Sequence, residues 1–427
     1  MTDTIFALAS GSARAAIAVV RISGQASEAA LAGLCGGRLP PPRHASLRRL
    51  LDTAGVTLDH ALVLWLPGPG TYTGEDSAEL HLHGGRAVID GVADALAEAG
   101  LRPAEPGEFT RRAFLNGRMD LVEAEAVHDL VSAETEAQRV QALRQLEGRL
   151  GALYHDWADR LRGILAYQEA LIDFPDEDLP PEVEDQLLAT LRTVRSEIAA
   201  HLNDAGRGEK LREGLFFAIT GAPNVGKSTL INALAERDVA IVSDRPGTTR
   251  DALETRVVLG GVPVTLVDTA GLRETSDSIE AEGVRRALAR AREADLAMTV
   301  IEAGSPAPAE QGGLLIANKA DLGGPAPDGA LRISAKTGLG MNELRARLAT
   351  IARHMTESNG PPPLTRARHR TALMAAAEHL DAALQADLPE LRGEDLRLAM
   401  RALGRITGHV GVEDILDTVF SKFCIGK

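Results

Sequence analysis

The residues with the clearest chemical purpose form the run Gly221-Ala222-Pro223-Asn224-Val225-Gly226-Lys227-Ser228, which matches G-x-x-x-x-G-K-[ST]. Its glycines let backbone N–H groups close around phosphates, and the N-terminus of a following helix, opened by Thr229, adds a favourable dipole. Lys227 is suited to reach the β- and γ-phosphates of a nucleoside triphosphate, and Ser228 to ligate Mg²⁺. Downstream, Asp268-Thr269-Ala270-Gly271 offers a carboxylate to hold Mg²⁺ through water and a Gly271 N–H to sense the γ-phosphate. In Asn318-Lys319-Ala320-Asp321 the Asp321 carboxylate can accept from the N1–H and 2-amino group of guanine. Adenine presents neither donor, so the pattern selects GTP over ATP. Ser334-Ala335-Lys336 supplies backbone N–H groups near the guanine O6. Gly247-Thr248-Thr249-Arg250-Asp251 lies where a switch segment belongs, and Thr249 can complete the Mg²⁺ shell. Five motifs in this order leave little room for chance.

Two positions carry open questions. Many regulatory GTPases place a Gln after the D-x-x-G motif to orient the attacking water, but here the residue is Leu272. A substitute must come from elsewhere, and Glu274, Asp277, Glu280 and Glu282 are the nearby candidates. Asn224 offers an amide oxygen beside the phosphates. It could ligate a monovalent cation that supplies transition-state charge, or merely cap the loop. Local chemistry leaves both readings standing.

These motifs need strands to aim them. Leu215–Thr220, Val264–Val267, Leu296–Ile301 and Leu314–Ala317 read as strands, with a helix over Thr229–Leu234, which predicts a parallel α/β sheet. Around that block the pattern changes. Residues 1–117 mix short β-rich runs (Ala16–Ile22, Ala61–Leu66, Ser77–His83) with a helical stretch, as in an α+β domain. From 118 to 210 the period is helical. Leu143, Leu146, Leu150, Leu153, Trp157, Leu161 and Ile164 read as a single seam, which Val183, Leu187, Leu191, Val194, Ile198 and Leu202 resume after Phe174-Pro175 and Pro180-Pro181. Residues 356–427 are helical again. The expected architecture is an α+β domain, then one helical domain interrupted by a nucleotide-binding domain at 211–355.

The bulk properties set limits. The 427 residues carry a net charge of −14, which argues against attracting nucleic acid with the whole surface. A local patch still acts within a Debye length of ~8 Å. Arg366, Arg368, His369 and Arg370 form one such cluster, with a solvated linker end as the blander reading. No run of ~20 apolar residues is free of charge, and the N-terminus lacks the pattern of a signal peptide. Cys35 and Cys424 give neither a disulfide framework nor a metal spacing. The expectation is a cytoplasmic protein.

Short signatures outside the nucleotide motifs extend the reading. Val20-Arg21-Ile22-Ser23-Gly24, Thr71-Tyr72-Thr73-Gly74-Glu75-Asp76, His81-Leu82-His83-Gly84-Gly85, Pro106-Gly107-Glu108-Phe109-Thr110 and Arg112-Ala113-Phe114-Leu115-Asn116-Gly117 precede the helices, and Phe423-Cys424-Ile425-Gly426-Lys427 closes the chain. With these, the whole chain resembles the MnmE (TrmE) family of bacterial tRNA-modification GTPases. The resemblance implies a homodimer with an N-terminal folate-binding α+β domain, a helical domain and an inserted Ras-like P-loop GTPase domain. It implies a flavin-dependent partner of the MnmG (GidA) type, carrying the FAD, in a heterotetramer. Together they would place an aminomethyl or carboxymethylaminomethyl group on C5 of the wobble uridine of certain tRNAs, with a tetrahydrofolate derivative supplying one carbon.

By motif, the resemblance makes Arg21, Glu79, Arg118 and Lys427 the folate contacts. It favours the K⁺ reading of Asn224, with Ser243, the Arg245 backbone and Thr248 completing that site, and it matches the water-orienting residue to Glu280, beside Lys227 as the second catalytic group. The segment Ser243-Asp244-Arg245-Pro246-Gly247-Thr248-Thr249 then lines the nucleotide. Cys424 is either a functional thiol or a small packing residue. His81 and His83, on one strand face, fit a packing or pterin-side role better than a metal site. One departure concerns the sheet. Only Glu302–Gly313 joins two of its strands, too short for the usual crossover helix with its loops. A GTP-dependent assembly switch, or a scaffold that binds without hydrolysis, would be supported by the nucleotide motifs alone. The flanking signatures argue against the first, and Ser228, Thr249 and Glu280 against the second.

Overall fold

The computed structural model describes residues 3–11, 15–173, 181–236, 254–268, 294–308, 313–357, 361–410 and 413–426. Two compact units emerge, one of Met1–His128, Gly151–Ala158 and Met400–Lys427, the other of Asp129–Leu150 and Asp159–Ala399.

In the first unit, apolar residues at every second position build a half-buried sheet. It comprises β1 (Ile5–Leu8), β2 (Ile17–Ser23), β3 (Ser46–Leu51), β4 (Thr57–Leu66), β5 (Ser77–His83) and β6 (Arg102–Pro103), in the order β3-β4-β5-β2-β1-β6. Ala18, Val20 and Ile22 of β2 and Ala78, Leu80 and Leu82 of β5 are buried in one core. Leu31 and Leu34 of α1 (Ser27–Leu34) and Val92 and Leu96 of α2 (Arg86–Glu98) complete that core. The alternate residues face the other way, and the register sets Arg21 opposite Glu79 and Val19 opposite His81. On another part of the sheet Ile5, Ala7, Ala104 and Phe109 of α3 (Glu108–Leu115) form a smaller cluster joined by Tyr72.

Four helices follow α3: α4 (Leu121–Ser132), α5 (Glu136–Leu146), α6 (Arg149–Asp173) and α7 (Pro181–Leu202). The seam from Leu143 to Ile164 is therefore not single, as the periodicity suggested. Gly148 adopts φ +77°, the left-handed conformation that ends α5 and that side chains other than glycine resist. A two-residue break separates α5 from α6.

The second unit holds a sheet of β7 (Leu215–Thr220), β8 (Glu254–Leu259), β9 (Val262–Asp268), β10 (Leu296–Glu302), β11 (Leu314–Asn318) and β12 (Leu331–Arg332). Their order is β12-β11-β10-β7-β9-β8, parallel except for β8, which runs antiparallel to β9 and which the motif-based reading did not foresee. The helix α8 (Arg207–Glu213) leads into β7, α9 (Lys227–Ala235) follows the glycine loop, and α10 (Met341–Thr356) closes the α/β block. Leu230, Ile231 and Leu234 of α9 and Leu344, Leu348 and Ala352 of α10 share one core with the strands. Residues 303–308, after β10, form no helix. The crossover is irregular there, and 309–312 lie outside the described residues.

The remaining helices are α11 (Ala367–Gln385), α12 (Pro389–Thr407) and α13 (Glu413–Phe420). Arg195 of α7 pairs with Asp381 of α11 at 2.6 Å. The basic cluster at the start of α11 is neither an open patch nor a solvated end. Arg366 pairs with Asp129 at 2.7 Å, Arg370 with Asp204 at 2.6 Å and Glu209 at 3.1 Å, and His369 is fully buried. Among the described residues no helix is long and apolar enough to cross a membrane.

Candidate functional site

The nucleotide motifs converge because the parallel strands end together. β7, β9, β10 and β11 finish at Thr220, Asp268, Glu302 and Asn318. β7 lies between β9 and β10, so the glycine loop leaves the sheet at its centre, where ligands of open α/β sheets bind. Gly221 has φ +141°, and a Cβ there would come within 2.2 Å of the Val300 carbonyl oxygen. Gly226 has φ +95°, and its Cβ would lie 2.4 Å from Asn318 Nδ2. Only glycine allows both approaches. Asn224 sits between them at φ +65°, a conformation that Asn tolerates better than most side chains.

Asn318 is the knot of the site. Almost wholly buried, its Nδ2 donates to the Val225 carbonyl oxygen at 2.8 Å and its Oδ1 accepts from the Ala335 N–H at 3.0 Å. One amide thus ties the glycine loop to the Ser334-Ala335-Lys336 loop. Lys227 Nζ donates to the carbonyl oxygens of Gly221 at 2.9 Å and Ala222 at 2.8 Å, which holds the ammonium over the mouth of the loop. Ser228 Oγ donates to Asp268 Oδ2 at 3.0 Å. A hydroxyl and a carboxylate oxygen brought together at a helix N-terminus are the hard oxygen donors that Mg²⁺ takes, so these residues fit that ion. Asp321 is exposed, and a hydrogen bond from the fully buried Ser334 holds its carboxyl below the ordinary carboxylate range. Lys319, at φ +62°, turns the chain and pairs with Glu302 at 2.9 Å.

The structure therefore brings together Asn224, Val225, Gly226, Lys227, Ser228, Thr229, Asp268, Asn318, Lys319, Asp321, Ser334, Ala335 and Lys336. The segments with Ser243, Asp244, Arg245, Pro246, Gly247, Thr248 and Thr249, with Thr269, Ala270 and Gly271, and with Glu280 lie outside the described residues. So does Lys427.

A second constellation occupies the first unit. Arg21 donates from Nε and Nη2 to Glu79 Oε1, at 3.1 and 2.9 Å. Both bonds land on one oxygen, leaving Oε2 with His81 Nε2 at 3.7 Å. The Arg21 guanidinium lies 5.5 Å from the Tyr72 ring centroid and 5.9 Å from that of Phe109. Arg118 runs its aliphatic stem along Gly74, where a Cβ would come within 3.2 Å of Arg118 Cγ. Glu79 offers a carboxylate to a pterin's donors, and Arg21 and Arg118 are guanidiniums suited to the carboxylates of a glutamyl tail, so these residue types are compatible with a folate. Tyr72 and Phe109 went unnoticed as site residues in the sequence. The scarcity of aromatics, 3% of the chain, combined with their place inside two short signatures, was the available signal.

Comparison with known proteins decides the family. Residues 121–424 match the model of the MnmE helical domain, and residues 4–118 that of the GTP-binding protein TrmE N-terminus. The chain belongs to the MnmE (TrmE) family. It is 63% identical to the tRNA modification GTPase MnmE of Gluconacetobacter diazotrophicus, over 99% of this chain and 98% of that one. It is 57% identical to the MnmE of Granulibacter bethesdensis, over 100% and 99%. Among solved structures, a point variant of Aquifex aeolicus Era bound to GDP and AlF₄⁻ shares 24% identity over 41% of this chain and 69% of its own, with a TM-score of 0.25. The architecture agrees with MnmE membership: a TrmE-type N-terminal domain, helical segments and an inserted α/β nucleotide-binding block.

Proposed function

We propose that this chain hydrolyses GTP in the service of tRNA modification. The observation that carries the reading is the Asn318 amide joining the glycine loop to the Ser334-Ala335-Lys336 loop, with Asp321 and Ser228–Asp268 on either side. Phosphate-binding and base-reading segments are thereby tied to each other, which is the fixed geometry that catalysis by positioning needs. Lys227 holds the β- and γ-phosphates, Ser228 and Thr249 hold Mg²⁺ with Asp268 behind a water, and Asp321 reads guanine. The Mg²⁺ supplies charge neutralisation across the phosphates. Glu280 orients the attacking water in place of the missing Gln.

Two further parts of the reading rest on family membership and on residue chemistry. Asn224, Ser243, the Arg245 backbone and Thr248 would hold K⁺, and Arg21, Glu79, Arg118 and Lys427 a tetrahydrofolate derivative. The chain would act as a homodimer with an MnmG-type flavoprotein, in the cytoplasm, on the wobble uridine of certain tRNAs. The domain limits 1–117, 118–210, 211–355 and 356–427 belong to the same proposal. GTP turnover in K⁺ against Na⁺ at matched ionic strength, with oligomeric state followed alongside, tests the centre of it. Faster turnover and dimerisation in K⁺ are expected. Equal rates in the two salts would remove the cation site and leave GTP hydrolysis to an activating partner.

A further inference from the structure

A cavity of about 520 Å³ lies in the second unit, away from the strand ends that carry the nucleotide motifs. Its walls come from α5, the turn between β8 and β9, the end of α10 and the chain leading to α11. The floor is apolar, formed by Ala137, Val140, Leu150, Leu211 and Val262. Three guanidiniums, Arg144, Arg149 and Arg353, stand on its rim against two carboxylates, Glu136 and Glu357. The balance is more positive than that count suggests, because Arg139 engages Glu136 at 2.5 Å. Arg149 has Glu147 at 3.7 Å, whereas Arg144 and Arg353 form no ion pair among the described residues.

This combination specifies a ligand class. Pockets of 300–1,000 Å³ with mostly apolar walls and a few convergent polar groups are the usual form of small-molecule sites. Guanidiniums at the mouth of an apolar cavity favour a carboxylate, sulfonate or phosphate whose remaining body is apolar. We infer that this cavity binds an amphipathic organic anion, its ring or acyl body against Val140, Leu150 and Val262 and its charge between Arg144 and Arg353.

The cavity also borders the turn that opens β9. Gly260 packs its backbone on α10, where a Cβ would come within 3.0 Å of Ala349, while Gly261 has nothing within 4 Å of its own Cβ position. A ligand against Gly261 and Val262 touches the start of β9, and the same strand ends at Asp268.

The full-length protein titrated with anilinonaphthalene sulfonate, an aromatic anion that fluoresces in apolar surroundings, tests the assignment. One saturable site is expected. Val140→Trp, which fills the floor, should abolish it, with GTP affinity and thermal stability as controls for folding. The paired reversal Arg144→Glu and Arg353→Glu should weaken it at least ~10-fold, the scale of losing charge-assisted contacts, and so should replacing the dye with uncharged N-phenylnaphthylamine. Parent-like binding by Val140→Trp would place the dye elsewhere and overturn the site. Loss in Val140→Trp without any response to charge reversal or to the neutral dye would overturn the anion assignment.

Discussion

At the scale of single residues, the chemistry of the nucleotide site was written in contiguous motifs, and the structure adds the bonds that make them one site. Asp321 illustrates the gain. Its carboxylate was legible as a guanine acceptor, but its partner Ser334 was legible only as the start of a separate loop. With Ser334 donating, the carboxylate is already charged and aimed. Asp321→Asn should weaken GTP ~10–100-fold, the scale of losing hydrogen bonds to a charged acceptor. The new amide N–H can donate to a carbonyl, so xanthosine triphosphate, which carries oxygen at C2, should gain affinity in the variant. Fluorescent-nucleotide titration checks both, and equal GTP affinity in variant and parent would sink the base-reading role. What sequence did not show were pairings across long separations. Arg112, fully buried, pairs with Glu108 one helical turn before it and also with the distant Asp3 and Glu75, and a motif scan has no means of joining it to those two.

At the scale of elements, periodicity located helices and strands well where apolar spacing was regular and failed where backbone conformation decided. Gly148 breaks a seam that the leucines alone would continue, and β8 has no motif to announce it. Gln138 shows how such elements are pinned. It closes a capping box with Thr135 at the start of α5, and its Nε2 donates to the carbonyl oxygens of Leu211 at 3.2 Å and Arg212 at 3.0 Å, just before β7. Gln138→Ala removes a cap and strands buried carbonyls, so a loss of about 2–4 kcal/mol is expected in urea unfolding. A loss below ~0.5 kcal/mol would show that water replaces the amide.

His201, at the end of α7, gives that helix a pH dependence. Burial pushes its pKa down to about 4 from an ordinary 6.5, so it is neutral in the folded protein. A depressed folded pKa means that the unfolded chain binds the proton first. Stability from this group is complete above about pH 6.5 and is lost as pH falls toward 4. At about 1.4 kcal/mol per pH unit, the loss between 6.5 and about 4 is at most ~3.5 kcal/mol. His201→Gln should flatten that part of the stability profile, and an unchanged acid limb would assign it to carboxylates instead.

At the scale of the whole molecule, the order of motifs along the chain pointed to an α/β nucleotide-binding sheet, because a parallel sheet gathers its strand ends whatever the loops contain. The assembly of distant stretches into two compact units was not legible, since helical periodicity says which face is apolar and not which partner covers it. The division has a functional consequence. Arg21 and Glu79 lie in the first unit, and Lys227, Asp268 and Asp321 in the second. If the first set binds folate and the second GTP, the two bindings should be separable by substitution while the complete reaction needs both. Glu79→Ala should lower affinity for a tetrahydrofolate derivative at least ~10-fold, by loss of a charged acceptor and the Arg21 pair, and leave GTP turnover within ~2-fold. Glu280→Ala should keep folate and GTP binding and slow hydrolysis at least ~100-fold, the scale of a principal catalytic contact. Mass spectrometry of tRNA from cells carrying either variant should then show the wobble-uridine modification lost in both. Retained modification with Glu79→Ala would remove folate from the reaction. Unchanged turnover with Glu280→Ala would move the water-orienting role to another of the acidic residues that follow Leu272.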